Sequence, residues 1–217
     1  TDRPTNFAAL TEGLGTRWEA TRIGIKPYPS CQLMHVTLDA VSEALADNTV
    51  HVGEIADIEV FVHPDSSPFV CGPNTGVASP RSTYDGKFDL PWSVAALLHD
   101  GAITVSTYTD ESIAREDVLV TARKVRVTNL PSEVPAAAAS GRAVLTLTDG
   151  RVLDASVGGS QGSAGFPLSD DRLLEKFLAN CGNDSRATEL SDRIVGLVDE
   201  TDLTAILDLA AAIAPAP

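Results

Sequence analysis

The run Gly158-Gly159-Ser160-Gln161-Gly162-Ser163-Ala164-Gly165 separates two stretches of chain whose patterning differs in kind. Ahead of it, apolar residues recur both at every second position, as strands require, and at three-to-four spacing, as helices require. Behind it only the helical spacing remains. The reading is an α+β fold, with a mixed α/β unit over residues 1–157, then a connector and helices over residues 158–217. A chain of 217 residues is long enough for one sizeable core or two modest ones. The helical tail alone offers a thin core, so it is expected to pack on something further.

Within the first unit, Asn6 to Gly13 reads as the end of a helix stopped by Gly13 and Gly15. Thr16 to Lys26 alternates through Trp18, Ala20, Ile23 and Ile25 and predicts a strand. A helix follows from Cys31 to Ala46, with Leu33, Val36, Ala40, Val41, Ala44 and Leu45 on its apolar face and Ser30 placed to cap it. Ile55 to Val62 alternates as a strand, and an irregular segment follows from His63 to Gly86. Lys87 to His99 reads as a buried helix, Ser112 to Thr121 as a shorter one, and Arg123 to Thr128 as a strand. Ala143 to Thr148 and Arg151 to Val157 flank Asp149-Gly150, a strong hairpin signal. The tail predicts helices over Asp170–Leu178, Ala187–Val198 and Leu203–Ile213, the last facing inward along Leu203, Ile206, Leu207, Leu209 and Ala210.

Net charge is −14, which argues against nucleic acid, since phosphate contacts need clustered Lys and Arg. With four lysines in all (Lys26, Lys87, Lys124 and Lys176), a positively charged pocket in this acidic body stands out. No apolar run reaches membrane-spanning length; the longest, Leu203 to Ala214, is short and interrupted by Asp208. The chain opens Thr1-Asp2-Arg3-Pro4 without a basic and apolar leader, so a trimmed, cytoplasmic protein with reduced cysteines is expected. Cys31, Cys71 and Cys181 form no CxxC pair, and the histidines show no HExxH spacing, so neither a disulfide framework nor a metal site is expected.

The chemistry concentrates at Lys26-Pro27-Tyr28-Pro29-Ser30-Cys31. Two prolines stiffen this turn and hold the lysine against a helix start. Free N–H groups and the positive dipole end there favour an anion, and an ammonium beside them makes a carboxylate cradle. Desolvated, the same lysine could serve as a base. The plainer alternative is a rigid loop with a surface lysine. Cys31 is either a thiol poised at a helix N-terminus or a small buried residue. His35 is either structural or a proton carrier. The glycine-rich run lacks the Lys-Ser/Thr of a phosphate loop and reads as a flexible connector. Asp110-Glu111 and Asp170-Asp171 read as helix-start acids.

Three longer stretches carry a resemblance. The first is Leu14-Gly15-Thr16-Arg17-Trp18 with Ile25-Lys26-Pro27-Tyr28-Pro29-Ser30-Cys31, His35 and Asp39-Ala40. The second is Lys87-Phe88-Asp89-Leu90-Pro91-Trp92-Ser93-Val94-Ala95 with Leu97-Leu98-His99-Asp100-Gly101 and Thr109-Asp110-Glu111. The third is Gly165-Phe166-Pro167-Leu168-Ser169 with Lys176-Phe177. In order and spacing they resemble the MmgE/PrpD family, whose members act on small di- and tricarboxylates such as 2-methylcitrate. The resemblance implies a lid-like α+β domain whose C-terminal helices would pack on an all-helical domain absent from this chain. It implies an active site between the two domains and a cofactor-independent lyase or isomerase. The reaction would begin with proton removal next to a carboxylate: dehydration first, epimerisation or decarboxylation as alternatives, and inactivity without the helical domain. A non-catalytic carboxylate-binding or interaction module is the competing expectation. Lys26 is carried over as the lysine of the family's turn. Cys31 stands where the family's decarboxylases place a histidine, and His35 aligns with a histidine common in the family. Arg81 is expected to approach a substrate carboxylate together with Lys26, Ser30 and Cys31. Expected partners are a small polycarboxylate, the helical domain and a second copy in a homodimer, with no membrane, metal or organic cofactor.

Overall fold

A computed structural model describes residues 6–46, 48–71 and 80–213. Helix α1 (Gln32–Leu45) precedes strand β1 (Ile55–Val62). Two one-turn helices, α2 (Ser67–Val70) and α3 (Thr83–Gly86), come before α4 (Leu90–Asp100), α5 (Asp110–Ile113) and α6 (Glu116–Ala122). Strands β2 (Val125–Asn129), β3 (Gly141–Leu147) and β4 (Val152–Val157) follow, and the chain closes with α7 (Asp170–Asn180), α8 (Ala187–Val195) and α9 (Thr204–Ala212). The fold is mixed α/β.

The strands form one mixed sheet in the order β2-β1-β3-β4. β1 runs parallel to β2, with Val60 opposite Val127, and antiparallel to β3, with Val60 opposite Ala143. β3 and β4 make the hairpin expected at Asp149-Gly150, where Gly150 adopts φ 88°, a left-handed conformation that favours glycine. Period-two burial sorts the faces. Ile58, Val60 and Val62 of β1 and Ala143, Leu145 and Leu147 of β3 point into the core. The opposite face carries charge pairs: Arg126 bonds Asp57 and Glu59, and Arg142 bonds Asp154 across the hairpin.

Helix α1 covers the inner face over β3 and β4, while α4 packs on α6 and β2. Met34, Leu38 and Val41 are fully buried, at the i, i+4, i+7 spacing that faces a core. The helix lies so close to β3 that a Cβ at Gly141 would run into the Val36 carbonyl. Helix α4 begins later than expected, at Leu90. Asp89 accepts the Trp92 amide at 2.9 Å as its N-cap, and Gly101 at φ 73° ends the helix, the pairing of cap and stop that isolates a helix from its flanks.

Thr16–Lys26 is not a strand. It holds a short 3-10 turn at Glu19–Arg22, and Trp18 and Ile23 are 67% and 70% exposed. The side chains of its alternating apolar positions reach no core, so the pattern alone does not make a strand there. The helical tail is thinly packed, as expected. Ala187, Leu190 and Ile206 are its buried apolar residues, but Leu203 and Leu207, expected to face inward with Ile206, are exposed. Among the described residues no helix is long and apolar enough to cross a membrane.

Candidate functional site

The turn between Lys26 and Cys31 is held from three sides. The Ile25 amide donates to the Gly162 carbonyl at 2.7 Å, and the Cys31 amide donates to the Lys87 carbonyl at 2.8 Å. From the third side, Tyr28 Oη donates to Asp39 Oδ1 at 2.8 Å, while Asp39 Oδ2 accepts the Gln161 amide at 2.8 Å. Two of these three ties come from the glycine-rich run, which therefore does not act as a loose connector. Gly162 has φ 77°, and a Cβ there would overlap the Ile25 carbonyl, so only glycine lets the two backbones approach this closely.

Inside this frame Lys26 Nζ donates to the Ser30 carbonyl at 3.0 Å, and His35 Nε2 lies 3.3 Å from the same oxygen. Lys26 itself is exposed, so the remaining N–H groups of its ammonium are open to solvent. His35 is buried, with 1% of its surface accessible, and the Tyr28 ring meets it edge-on at 5.2 Å. Burial, with the charges of Lys26 and Lys176 adding to it, pushes His35 down to about 4, so the ring is neutral at neutral pH. Its bond to a carbonyl requires the Nε2–H tautomer. Burial raises the Asp39 carboxyl above its usual range, against the opposing pull of the Gln161 and Tyr28 hydrogen bonds. Burial raises Tyr28 as well, with the Asp39 charge adding to it.

Lys26, Ser30, Cys31 and His35 thus come together, though not in the expected roles throughout. The N-cap of α1 is Cys31 and not Ser30, because the Lys87 carbonyl holds residue 31 extended and delays the first helical turn. The Ser30 hydroxyl is enclosed beside that of Tyr108 without closing a hydrogen bond of ordinary length. Ser30 serves the site through its carbonyl. Arg81 stands apart: its guanidinium is 88% exposed and binds Asp85 at 3.0 Å, and among the described residues it makes no hydrogen bond to the turn. The segment expected to be irregular around it falls partly at 72–79, outside the described residues. Among the described residues no three His, Cys, Asp or Glu side chains gather as metal ligands.

Beside the turn opens a cavity of about 560 Å³, walled by Tyr28 and its prolines, by the Gly101–Ser106 loop after α4, and by α7. Two of its wall residues, Arg172 and Lys176, are basic. Sequence reading did not single out Asp39, Gln161, Arg172 or Lys176 for chemistry. A usable signal existed for the last two, which are basic residues at i, i+4 spacing on one helix face of an acidic chain.

Comparison with known proteins agrees with this architecture. The model of the MmgE/PrpD C-terminal domain matches residues 28–198. A cis-aconitate decarboxylase of Aspergillus terreus is 27% identical over 216 residues, covering 92% of this chain and 43% of the relative. A second, from Aspergillus terreus (strain NIH 2624 / FGSC A1156), is 25% identical over 214 residues with the same coverage. The chain therefore spans less than half the length of these curated relatives. With the matched segment running from the Tyr28 turn through the sheet to the tail helices, the chain belongs to the MmgE/PrpD family.

Proposed function

We propose that this chain supplies the carboxylate-binding half of an enzyme acting on small di- or tricarboxylates by proton removal next to a carboxylate. The observation that carries the reading is the convergence of Lys26 Nζ and His35 Nε2 on the Ser30 carbonyl at the start of α1. An exposed ammonium held in place beside the N-terminus of a 14-residue helix is suited to a carboxylate. As a proton leaves the neighbouring carbon, negative charge moves onto the carboxylate oxygens, and a preplaced cation lowers that barrier. Lys26 is the catalytic residue in this scheme. Neutral His35 is too deeply enclosed to touch substrate, so it acts through Ser30, fixing the carbonyl that fixes the lysine.

The abstracting base belongs, in this proposal, to a helical segment that packs on the exposed apolar residues of the front and tail, among them Phe7, Leu10, Leu14 and Val198. Exposed apolar residues away from that surface, such as Val120 and Val152, support association into a homodimer. Dehydration is the reaction we assign. Decarboxylation is the second reading, favoured by the names of the two relatives. No step calls for a metal or an organic cofactor.

Amide NMR of the chain titrated with citrate tests the carboxylate site. Shifts centred on Ser30 to Leu33 that vanish in Lys26→Ala support it. Unchanged shifts at these amides in Lys26→Ala would return the turn to a purely structural role.

A further inference from the structure

The cavity between the Tyr28 turn and α7 has no part in the scheme above, because Lys26 and His35 do not line it. Its basic wall is unusual for this protein. Arg172 and Lys176 stand one helical turn apart and both face the same space. Two like charges at that spacing repel one another, and the arrangement is relieved by negative charge between or above them. Glu175 answers only half of it: its carboxylate holds Arg172 Nη1 at 3.0 Å, and Lys176 makes no hydrogen bond or ion pair with any described residue. Burial holds His35 neutral, and the charges of Lys26 and Lys176 add to it, so two of the four lysines in a chain of net charge −14 bear on one histidine.

The remaining walls fit a small ligand. Leu97, Ile103 and Leu168 contribute apolar surface, and Thr104 and Ser106, whose hydroxyls are 2.8 Å apart, add polar groups to the wall. Near 560 Å³ the space falls within the ordinary range for small-molecule pockets.

We propose that this cavity is a second anion site, distinct from the Lys26 cradle and independent of it, that binds a small dicarboxylate or tricarboxylate through Arg172 and Lys176. Two cations about 5–6 Å apart at their bases match two carboxylates on a short carbon chain better than a single compact anion. The guanidinium fork takes one carboxylate with two parallel hydrogen bonds, and the ammonium takes the other as a point charge. The incoming carboxylate displaces Glu175 from Arg172, so Glu175 acts as a built-in competitor. Tyr28 is shared between the cavity wall and the site turn, which places the bound anion directly behind the lysine cradle.

The test is amide NMR with citrate at physiological salt, using the chain, Lys26→Ala, Glu175→Gln and the double variant Arg172→Gln/Lys176→Gln. Helix α7 has no buried residue, so the double variant is expected to keep its fold, checked by its melting temperature. The proposal requires shifts centred on Ile103 to Ser106 and Asn183 that persist in Lys26→Ala. It also requires binding at least about tenfold weaker in the double variant and tighter in Glu175→Gln. Shifts confined to Ser30–Leu33 would overturn it while leaving the Lys26 reading intact. Undiminished binding by the double variant would overturn it as well. Inorganic phosphate binding at Ile103–Ser106 as tightly as citrate would overturn the assignment to polycarboxylates.

Discussion

Tyr28 and Asp39 are joined by a 2.8 Å hydrogen bond in which the phenol donates to a largely buried carboxylate. The other oxygen of Asp39 accepts the Gln161 amide, so one side chain ties the site turn to the glycine-rich run. Asp39→Asn keeps the shape but turns one of the two acceptors into a donor, so with Gln161 on Oδ1 the Tyr28 hydroxyl must switch from donor to acceptor and the charge-assisted bond is lost. A loss of about 1–3 kcal/mol in urea unfolding is expected. Tyr28→Phe should lose a comparable amount. Combined, the two should destabilise by less than their sum, because they remove the same bond. Strict additivity would show that the bond contributes nothing.

His35 makes stability depend on pH. Its folded value of about 4 lies below the ordinary histidine value of 6.5 because the ring is buried, so the unfolded chain binds the proton more readily. The contribution is fully present above about pH 6.5 and is lost as pH falls toward 4. Relative to His35→Gln, the wild type should lose about 3 kcal/mol between pH 7 and pH 4. Parallel stability curves for the two proteins over that interval would contradict the burial of this ring.

Asp89 carries the opposite sign. Burial raises it from 3.8 to about 6, with the charge of Asp85 adding to the shift. The folded chain therefore holds the proton more tightly, and the associated stability is present below about pH 4 and lost as pH rises through 6. Asp89→Asn retains an acceptor for the Trp92 amide and removes the buried charge. Above pH 6 it should be the more stable protein by about 1–3 kcal/mol, with the difference closing below pH 4.

Gly162→Ala strains a left-handed backbone and drives a methyl into the Ile25 carbonyl. A loss of about 2–4 kcal/mol is expected from the two effects together. Hydrogen exchange at the Ile25 amide, protected by the Gly162 carbonyl, should accelerate more than exchange in β1. An equal change at both would mean that the substitution weakens the whole fold and not this clamp.

Much of the fold is legible in the sequence because it rests on local patterns. The alternation of Ile55–Val62, the apolar stripe of α1 and the Asp149-Gly150 hairpin each specify an element from neighbouring residues. Thr16–Lys26 is no strand because alternation states a preference, while a strand also needs a core to bury its apolar face, and Trp18 and Ile23 stay exposed. Lys26, Ser30 and His35 are neighbours through a stiff turn before a helix, which is a local pattern. Gln161 is not legible in this way, because its link to Asp39 spans 122 residues of sequence. The misjudged glycine run shows the same limit from the other side. Composition signals a chain free to bend, yet Gly162 has no Cβ because another backbone occupies the space.

The clamp also sets an order of events during synthesis. The lysine turn is made early, but its two ties to Gln161 and Gly162 come from segments translated long afterwards. Contacts this distant in sequence close late, after local helices and hairpins have formed. The β3–β4 hairpin and α1 can form while the turn is still unfastened, and the anion cradle becomes rigid only once the chain has passed the glycine run. A nascent chain halted before Gln161 would carry every residue of the cradle and still lack its geometry.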